Sequence, residues 1–144
     1  MPCLLTAAAA DPEAVSVARH WIDSAGHDVE AVESMLRDDS FVPRHACALA
    51  NAAARQALTA LLSVARTPFS LRHDLDALLT LLPPDSIVRR DVPDLRDLAQ
   101  WAAEPRFPGD WQEATVEDAL RAARCARTVF EAAVADLFEH GIRV

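Results

Sequence analysis

Arg66 and His73 are the first candidates for chemistry, because an arginine precedes a histidine with six residues between them. A histidine can act as a general base on a ribose 2′-hydroxyl, while an arginine stabilises the charge that develops on phosphorus. The opposing interpretation places both residues in solvent at two helix ends, across a turn at Pro68. We favour the second interpretation, since fourteen arginines and five histidines produce such spacings by chance.

The run Arg72-His73-Asp74 is a candidate for binding without catalysis. A cation and an imidazole at a helix N-terminus can hold an anion. The alternative is a simple helix start, in which Asp74 accepts hydrogen bonds from unpaired backbone amides and His73 packs locally. The helix start is the favoured interpretation.

Arg106, Asp110 and Trp111 form a third candidate group in a predicted loop. Polar and aromatic side chains in loops often make contacts with ligands or partners. A structural role is the alternative: Arg106 pairs with Asp110 or caps a helix, and Trp111 closes one end of the helical core.

Composition excludes several functional classes. The chain has a net charge of −8 and no lysine, which argues against a broad phosphate-binding surface, a Schiff-base enzyme and a P-loop. Cys3, Cys47 and Cys125 are odd in number and lack metal-ligand spacing, so we predict no disulfide framework, no metal and no cofactor. With neither a signal peptide nor a long apolar run, the chain is expected in the cytoplasm and not in a membrane.

Apolar residues recur three and four positions apart, which predicts helices. The predicted elements are a long helix near 12–38, continuous through Gly26, a second near 43–66, a short third capped by Ser70 and ended by Pro83-Pro84, a fourth from about Pro93 to Pro105, and a last long helix that starts at Thr115 and ends at Gly141. The last helix is expected to turn seven residues toward the core: Ala119, Leu120, Ala123, Phe130, Val134, Leu137 and Phe138.

The fold class that follows is all-α, an up-and-down antiparallel bundle of about five helices in a single domain, residues 1–144 with a core near 12–140. A helix of about 25 residues is roughly 37 Å long. Such a helix carries more apolar stripe than two short helices can cover. We therefore predict a homodimer.

Several segments resemble the HEPN family, the higher eukaryotes and prokaryotes nucleotide-binding domain. The similarity runs in order over about residues 14–135. The segments that carry it are Trp21-Ile22-Asp23-Ser24-Ala25, Asp28-Val29-Glu30-Ala31-Val32, His45-Ala46-Cys47-Ala48, Ala57-Leu58-Thr59-Ala60-Leu61-Leu62, Arg72-His73-Asp74-Leu75 and Arg106-Phe107-Pro108-Gly109-Asp110-Trp111. The last of these is the most specific.

The resemblance implies a helical bundle that is usually dimeric, is often encoded beside a minimal nucleotidyltransferase, and is often linked to toxin–antitoxin pairs or RNA cleavage. Two departures bear on function. Asn51-Ala52 and Arg55-Gln56 stand where the family often places a Gln-Gln and a Glu-Lys pair, which puts a nucleotide pocket there in question. The ribonuclease branches carry an arginine and a histidine, four to six residues apart, near the final helices; His140 has no arginine at that spacing.

The function we expect is a non-catalytic HEPN-type interaction module, paired with a minimal nucleotidyltransferase in a nucleotide- or RNA-linked system. Two alternatives stay open. One is a metal-independent endoribonuclease that uses Arg66 and His73 or a site composed across the dimer, and the other is a bundle that binds a small nucleotide without chemistry.

Overall fold

The structure, a computed structural model, describes residues 11–38, 40–70, 72–92, 94–101 and 113–144. In these residues the chain forms six helices and no strand, which confirms the all-α prediction. The helices are α1 (Pro12–Leu36), α2 (Pro43–Ala65), α3 (Leu75–Thr80), α4 (Ile87–Asp91), α5 (Arg96–Ala99) and α6 (Val116–Glu139).

The three long helices make the bundle. α1 runs antiparallel to α6, because Glu33 near the end of α1 binds Arg127 in the middle of α6, while Arg19 near its start reaches the carbonyl of Arg143. α1 is also antiparallel to α2, which follows it through a short turn. The short helices fill one side of this bundle: α3 and α5 contact α2, and α4 and α5 contact α6.

α2 is the central helix, since its alanines and leucines are buried on nearly every side. Six apolar residues of α2 that recur three and four positions apart are all buried: Cys47, Ala50, Ala54, Ala57, Leu61 and Val64. Small side chains allow the neighbouring helices to approach it closely. α2 therefore provides the surface on which α1 and α6 pack.

α6 turns a face made mainly of alanine toward the core. Its buried apolar residues are Ala119, Ala122, Ala123, Ala126, Val129, Ala132, Ala133 and Leu137. The prediction that Leu120 and Phe138 point inward is wrong, since they are 37% and 63% exposed. Close contact with α2 requires small side chains on the inner face, so the larger apolar side chains of α6 are left outside.

Both long helices at the N-terminal end stop slightly earlier than predicted. α1 ends at Leu36 because Asp38 accepts hydrogen bonds from the amide and hydroxyl of Ser40, which forms a turn in place of another helical turn. α2 ends at Ala65, where Arg66 adopts a left-handed conformation with φ of 55°. The amides of Arg66 and Thr67 bond back to Ser63 and Leu62, as in a Schellman motif.

The prediction that Ser70 caps α3 is wrong. Asp74 is the cap, and its Oδ1 accepts from the amide of Ala77 at 2.7 Å. The Ser70 hydroxyl instead accepts from the amide of Arg72, which forms a tight local turn. The helix therefore starts four residues later than the serine indicated.

α4 was not predicted, and α5 is much shorter than the helix expected from Pro93 to Pro105. In the described part of that segment, residues 94–101, only the four residues of α5 are helical, and Pro93 and residues 102–112 lie outside the described residues. α4 forms because Asp136, a buried residue of α6, accepts hydrogen bonds from the amides of Ile87 and Val88. The signal for this helix lies almost 50 residues further along the chain.

The two ends of α6 are as predicted. Thr115 and Asp118 form the capping box, each side chain accepting from the other residue's amide. At the other end Gly141 has φ of 83°, and the amides of Gly141 and Ile142 bond to Phe138 and Leu137. Ile142 and Leu137 are both buried, which supplies the apolar contact typical of this motif.

The apolar stripe of α1 is covered within the chain. Ala18, Ile22, Ala25, Val29 and Val32 are at most 1% exposed because α2 and α6, both long, pack along it. The helix is continuous through Gly26, as predicted. A homodimer would thus need a surface other than the apolar stripe of α1. The homodimer stays a prediction.

Candidate functional site

Arg66 forms an ion pair with Asp11, which does not favour a catalytic role. Its guanidinium donates to the carboxylate of Asp11 at 3.2 Å, and its side chain is 69% exposed. This contact joins the end of α2 to the start of α1, where Asp11 also caps the helix by accepting from the amide of Glu13. The role of Arg66 in the described structure is an exposed ion pair between two helix ends.

His73 lies in the loop between α2 and α3, where its backbone amide donates to the carbonyl of Ser70. Its Nδ1 accepts from the amide of Ser70 at 3.1 Å, and its carbonyl accepts from the guanidinium of Arg55 at 2.9 Å. With Nδ1 used as an acceptor, the neutral imidazole carries its proton on Nε2. Neither ring nitrogen then offers a free lone pair, so this arrangement does not present a general base.

Arg72 and Asp74 flank His73 and differ in role. Asp74 caps α3, which is the structural interpretation that the sequence favoured. Arg72 is exposed, and its amide completes the turn with Ser70. The loop thus holds Arg72 at the surface beside an imidazole whose Nε2–H remains a potential donor.

Arg55 is the residue of this region whose role sequence reasoning missed. It lies on α2, eighteen residues before His73, and its guanidinium holds the carbonyl of that residue. Arg55, which is half-buried, is thereby connected to the loop that carries Arg72 and His73. No spacing in the sequence signals this contact, because it depends on how the α2–α3 loop folds back.

The altered polar residues of α2 link helices together. Asn51 is 4% exposed and donates from Nδ2 to the carbonyl of Leu98 in α5 at 2.8 Å. Gln56 donates from Nε2 to the carboxylate of Asp28 in α1 at 2.7 Å. These side chains are engaged in tertiary contacts, and Ala52 beside them contributes no polar group.

Arg106, Asp110 and Trp111 lie outside the described residues, so their predicted roles stay predictions. Among the described residues, no group of three His, Cys, Asp or Glu side chains comes close enough to hold a metal ion. In the same residues, no helix is both long and apolar enough to cross a membrane.

The two described cysteines are poor nucleophiles. Burial raises the pKa of the Cys47 thiol to about 11, and it does the same for Cys125. The thiolate is the reactive form, and very little of it exists near neutral pH at such values. Thiol catalysis at these two positions is disfavoured on this ground.

Two shallow hollows lie on the side of the bundle formed by α1 and α6. The first, of about 360 Å³, is lined by Ile22, Asp23, Gly26, His27, Glu30, Phe130, Val134 and Val144. The second, of about 380 Å³, is lined by Val134, Phe138, Ile142, Arg143 and Val144. Val134 and Val144 line both, so the hollows are adjacent. Neither includes Arg66, Arg72 or His73.

The fold and these contacts define a class: a helical bundle whose central helix is buried on nearly every side. Among its described candidate residues, Arg66 lies at a helix end, and Arg72 and His73 lie in a surface loop. The comparison with protein families then makes the assignment specific. The family model described as HEPN domain matches residues 18–137, which is most of the chain. The chain therefore belongs to the HEPN domain family. No curated protein and no solved structure matches it.

Proposed function

We propose that this chain is a non-catalytic HEPN interaction module. In this proposal it works with a minimal nucleotidyltransferase partner in a nucleotide- or RNA-linked pair of the toxin–antitoxin kind. The observation that supports the non-catalytic part is the state of Arg66 and His73. The arginine binds Asp11, and the imidazole accepts a hydrogen bond from the amide of Ser70.

A ribonuclease site of this kind needs an arginine that reaches the scissile phosphate and a histidine with a free lone pair. Arg66 would have to leave Asp11, and His73 would have to break its bond to Ser70 and move its proton. Both contacts are made by exposed or half-buried groups. The endoribonuclease alternative therefore requires a direct test.

The test is an RNA-cleavage assay with the purified full chain, without added metal, on a mixed-sequence RNA. We expect no cleavage above a buffer control, and no difference between the wild type and His73→Ala. Cleavage by the wild type that is lost in both His73→Ala and Arg66→Ala would overturn the non-catalytic proposal. Arg90→Ala, which removes another exposed arginine, is the matched control.

The partner is tested by co-expression with the protein encoded beside this chain. If that neighbour is a minimal nucleotidyltransferase, we expect the two to co-elute at a defined stoichiometry. A neighbouring nucleotidyltransferase that shows no binding at micromolar concentrations would contradict the pairing. In this proposal the chain acts in the cytoplasm and as a homodimer.

A second candidate function, nucleotide binding without chemistry, is favoured by one observation. The Arg55 guanidinium donates to the backbone carbonyl of His73, so it contacts the loop that carries Arg72 and the His73 imidazole. Guanidinium groups suit the bidentate recognition of phosphate oxygens. Because a ligand of the folded state must stabilise it, nucleoside triphosphates would raise the unfolding temperature. This rise in unfolding temperature should disappear in Arg72→Ala and persist in Arg90→Ala. Arg106→Ala tests the other arginine proposed for ligand binding.

A further inference from the structure

α6 has a second apolar face that the bundle does not cover. Val116 is 48% exposed, Leu120 is 37% exposed and Phe138 is 63% exposed, although all three are large apolar residues of a long helix. Val134, on the same side, is only partly buried. Scattered apolar residues on a surface need no explanation, but an aligned set of them indicates an interaction site.

These residues are aligned. Leu120 and Phe138 are 18 positions apart, which is about five full turns of an α-helix. Val116 precedes Leu120 by four positions, and Val134 precedes Phe138 by four, so each pair lies on adjacent turns. The outer face of α6 thus carries one apolar pair near each end, about 20–30 Å apart.

The order of residues along this face is self-complementary. The positions midway between Val116 and Phe138, and between Leu120 and Val134, are both residue 127. Arg124 and Glu131, exposed on the same face, are centred within half a residue of that point. A twofold axis beside residue 127 therefore brings unlike charges together and apolar pairs together. Isologous interfaces require this property.

The hollow of about 380 Å³ supplies the shape for such a contact. Val134 and Phe138 of α6 line it, together with Ile142, Arg143 and Val144 from the segment that follows the helix. In the twofold arrangement the side chains of Val116 and Leu120 from a second copy enter this hollow. Each copy then offers one protruding pair and one receiving hollow.

At the twofold axis, Arg127 of one copy would lie beside Arg127 of the other copy. Its charge is already balanced, because its guanidinium makes two hydrogen bonds to the carboxylate of Glu33. Glu131 lies 3.8 Å from the same guanidinium and keeps its side chain 66% exposed, so it can also meet Arg124 of another copy. The meeting of two Arg127 residues therefore does not oppose the arrangement.

We propose that the outer face of α6 is a docking surface for a second copy of this chain, with the two α6 helices antiparallel about an axis near Arg127. This inference rests on the homodimer of the proposed function and adds its surface. The apolar pairs provide buried area, and the Arg124–Glu131 pairs fix the alignment of the two helices.

The test is charge reversal read out by sedimentation equilibrium at low micromolar concentration. Wild type should be a dimer. Arg124→Glu should weaken it at least tenfold by placing a second carboxylate against Glu131 of the other copy, and Glu131→Arg should do the same by bringing two guanidinium groups together. The double variant Arg124→Glu/Glu131→Arg should recover the dimer, and an equimolar mixture of the two single variants should form a heterodimer.

Controls separate folding from docking. Asp91→Arg reverses an exposed acidic residue on α4, outside the proposed surface, and it should leave the dimer unchanged. Phe138→Ser should weaken the dimer without lowering the thermal unfolding midpoint of the monomer, because this side chain is 63% exposed.

Three results would overturn the inference. A wild-type dimer that ignores both reversals, or a double variant that fails to recover, contradicts the surface while leaving a homodimer intact. A monomeric wild type contradicts both the surface and the homodimer. Binding of the nucleotidyltransferase partner to the monomeric Arg124→Glu variant tests the proposed function separately.

Discussion

Asp136 should be the residue on which the packing of α4 depends. Its carboxyl group is 3% exposed, and it accepts from the Ser86 hydroxyl at 2.7 Å, from the amide of Ile87 at 2.9 Å and from the amide of Val88 at 3.2 Å. α4 has five residues, which is far too few for a helix to be stable without such support. The perturbation we consider is Asp136→Ala.

The expected cost follows from these three bonds. A hydrogen bond to a charged acceptor contributes about 1.5–3 kcal/mol, and a buried donor left without a partner costs a further ~1–3 kcal/mol. Partial entry of water at Ser86 reduces the total, so we expect Asp136→Ala to lower the free energy of unfolding by about 3–5 kcal/mol. Domains of this size are stable by roughly 5–15 kcal/mol, so the variant should still fold.

The assay is urea unfolding followed by circular dichroism, with a double-mutant cycle. Ser86→Ala removes one of the three bonds and should cost about 1–2 kcal/mol in the wild type but much less in the Asp136→Ala background. Asp91→Ala, on the exposed side of α4, should change stability by less than about 0.5 kcal/mol. A cost below about 1 kcal/mol for Asp136→Ala, or a Ser86→Ala cost that is equal in both backgrounds, would refute this reasoning.

Three further predictions concern strain, pH and reactivity. Arg66→Gly should stabilise the chain by up to about 1 kcal/mol in thermal unfolding, because a left-handed conformation penalises residues other than glycine and the exposed pair with Asp11 contributes little; a lower unfolding temperature would contradict this. The hydrogen bond from Arg127 lowers the pKa of Glu33 from 4.5, so the stability that the pair adds is present above pH 4.5 and is lost as pH falls through the lower value. Arg127→Met should therefore lower the unfolding temperature at pH 7, and the gap to the wild type should narrow below pH 4.5; a gap that stays constant with pH would be the contrary result. Alkylation of Cys47 and Cys125 at pH 8, read by peptide mass spectrometry, should be slow in the folded chain and fast in urea, whereas equal rates would show that burial does not raise the two pKa values.

The positions of the three long helices could be predicted because their signals are local. Pro12 and Pro43 start α1 and α2, and the capping box at Thr115 starts α6 within four residues of chain. The same kind of local evidence failed for α4, whose N-terminus is capped by a side chain from another helix. A helix that depends on a distant partner leaves no local pattern.

The candidate site shows the same division. The capping role of Asp74 was available as an alternative from the sequence, since an aspartate before an apolar run is a common helix start. The contact between Arg55 and the carbonyl of His73 was not, because only the return of the loop onto α2 brings them together. The pairing of Arg66 with Asp11 likewise joins residues 55 positions apart.

By itself, the sequence determined the class of this protein, its long helices and its family resemblance. Helix starts, periodic apolar residues and short motifs involve residues that are close together in the sequence. The interactions that stabilise them are made within a few helical turns. Tertiary structure decided which side of α6 faces the core and which partners the arginines and His73 find. Periodicity marks both alanines and larger apolar residues as core candidates, whereas only the close approach of α6 to α2 selects the alanines and leaves Leu120 and Phe138 outside.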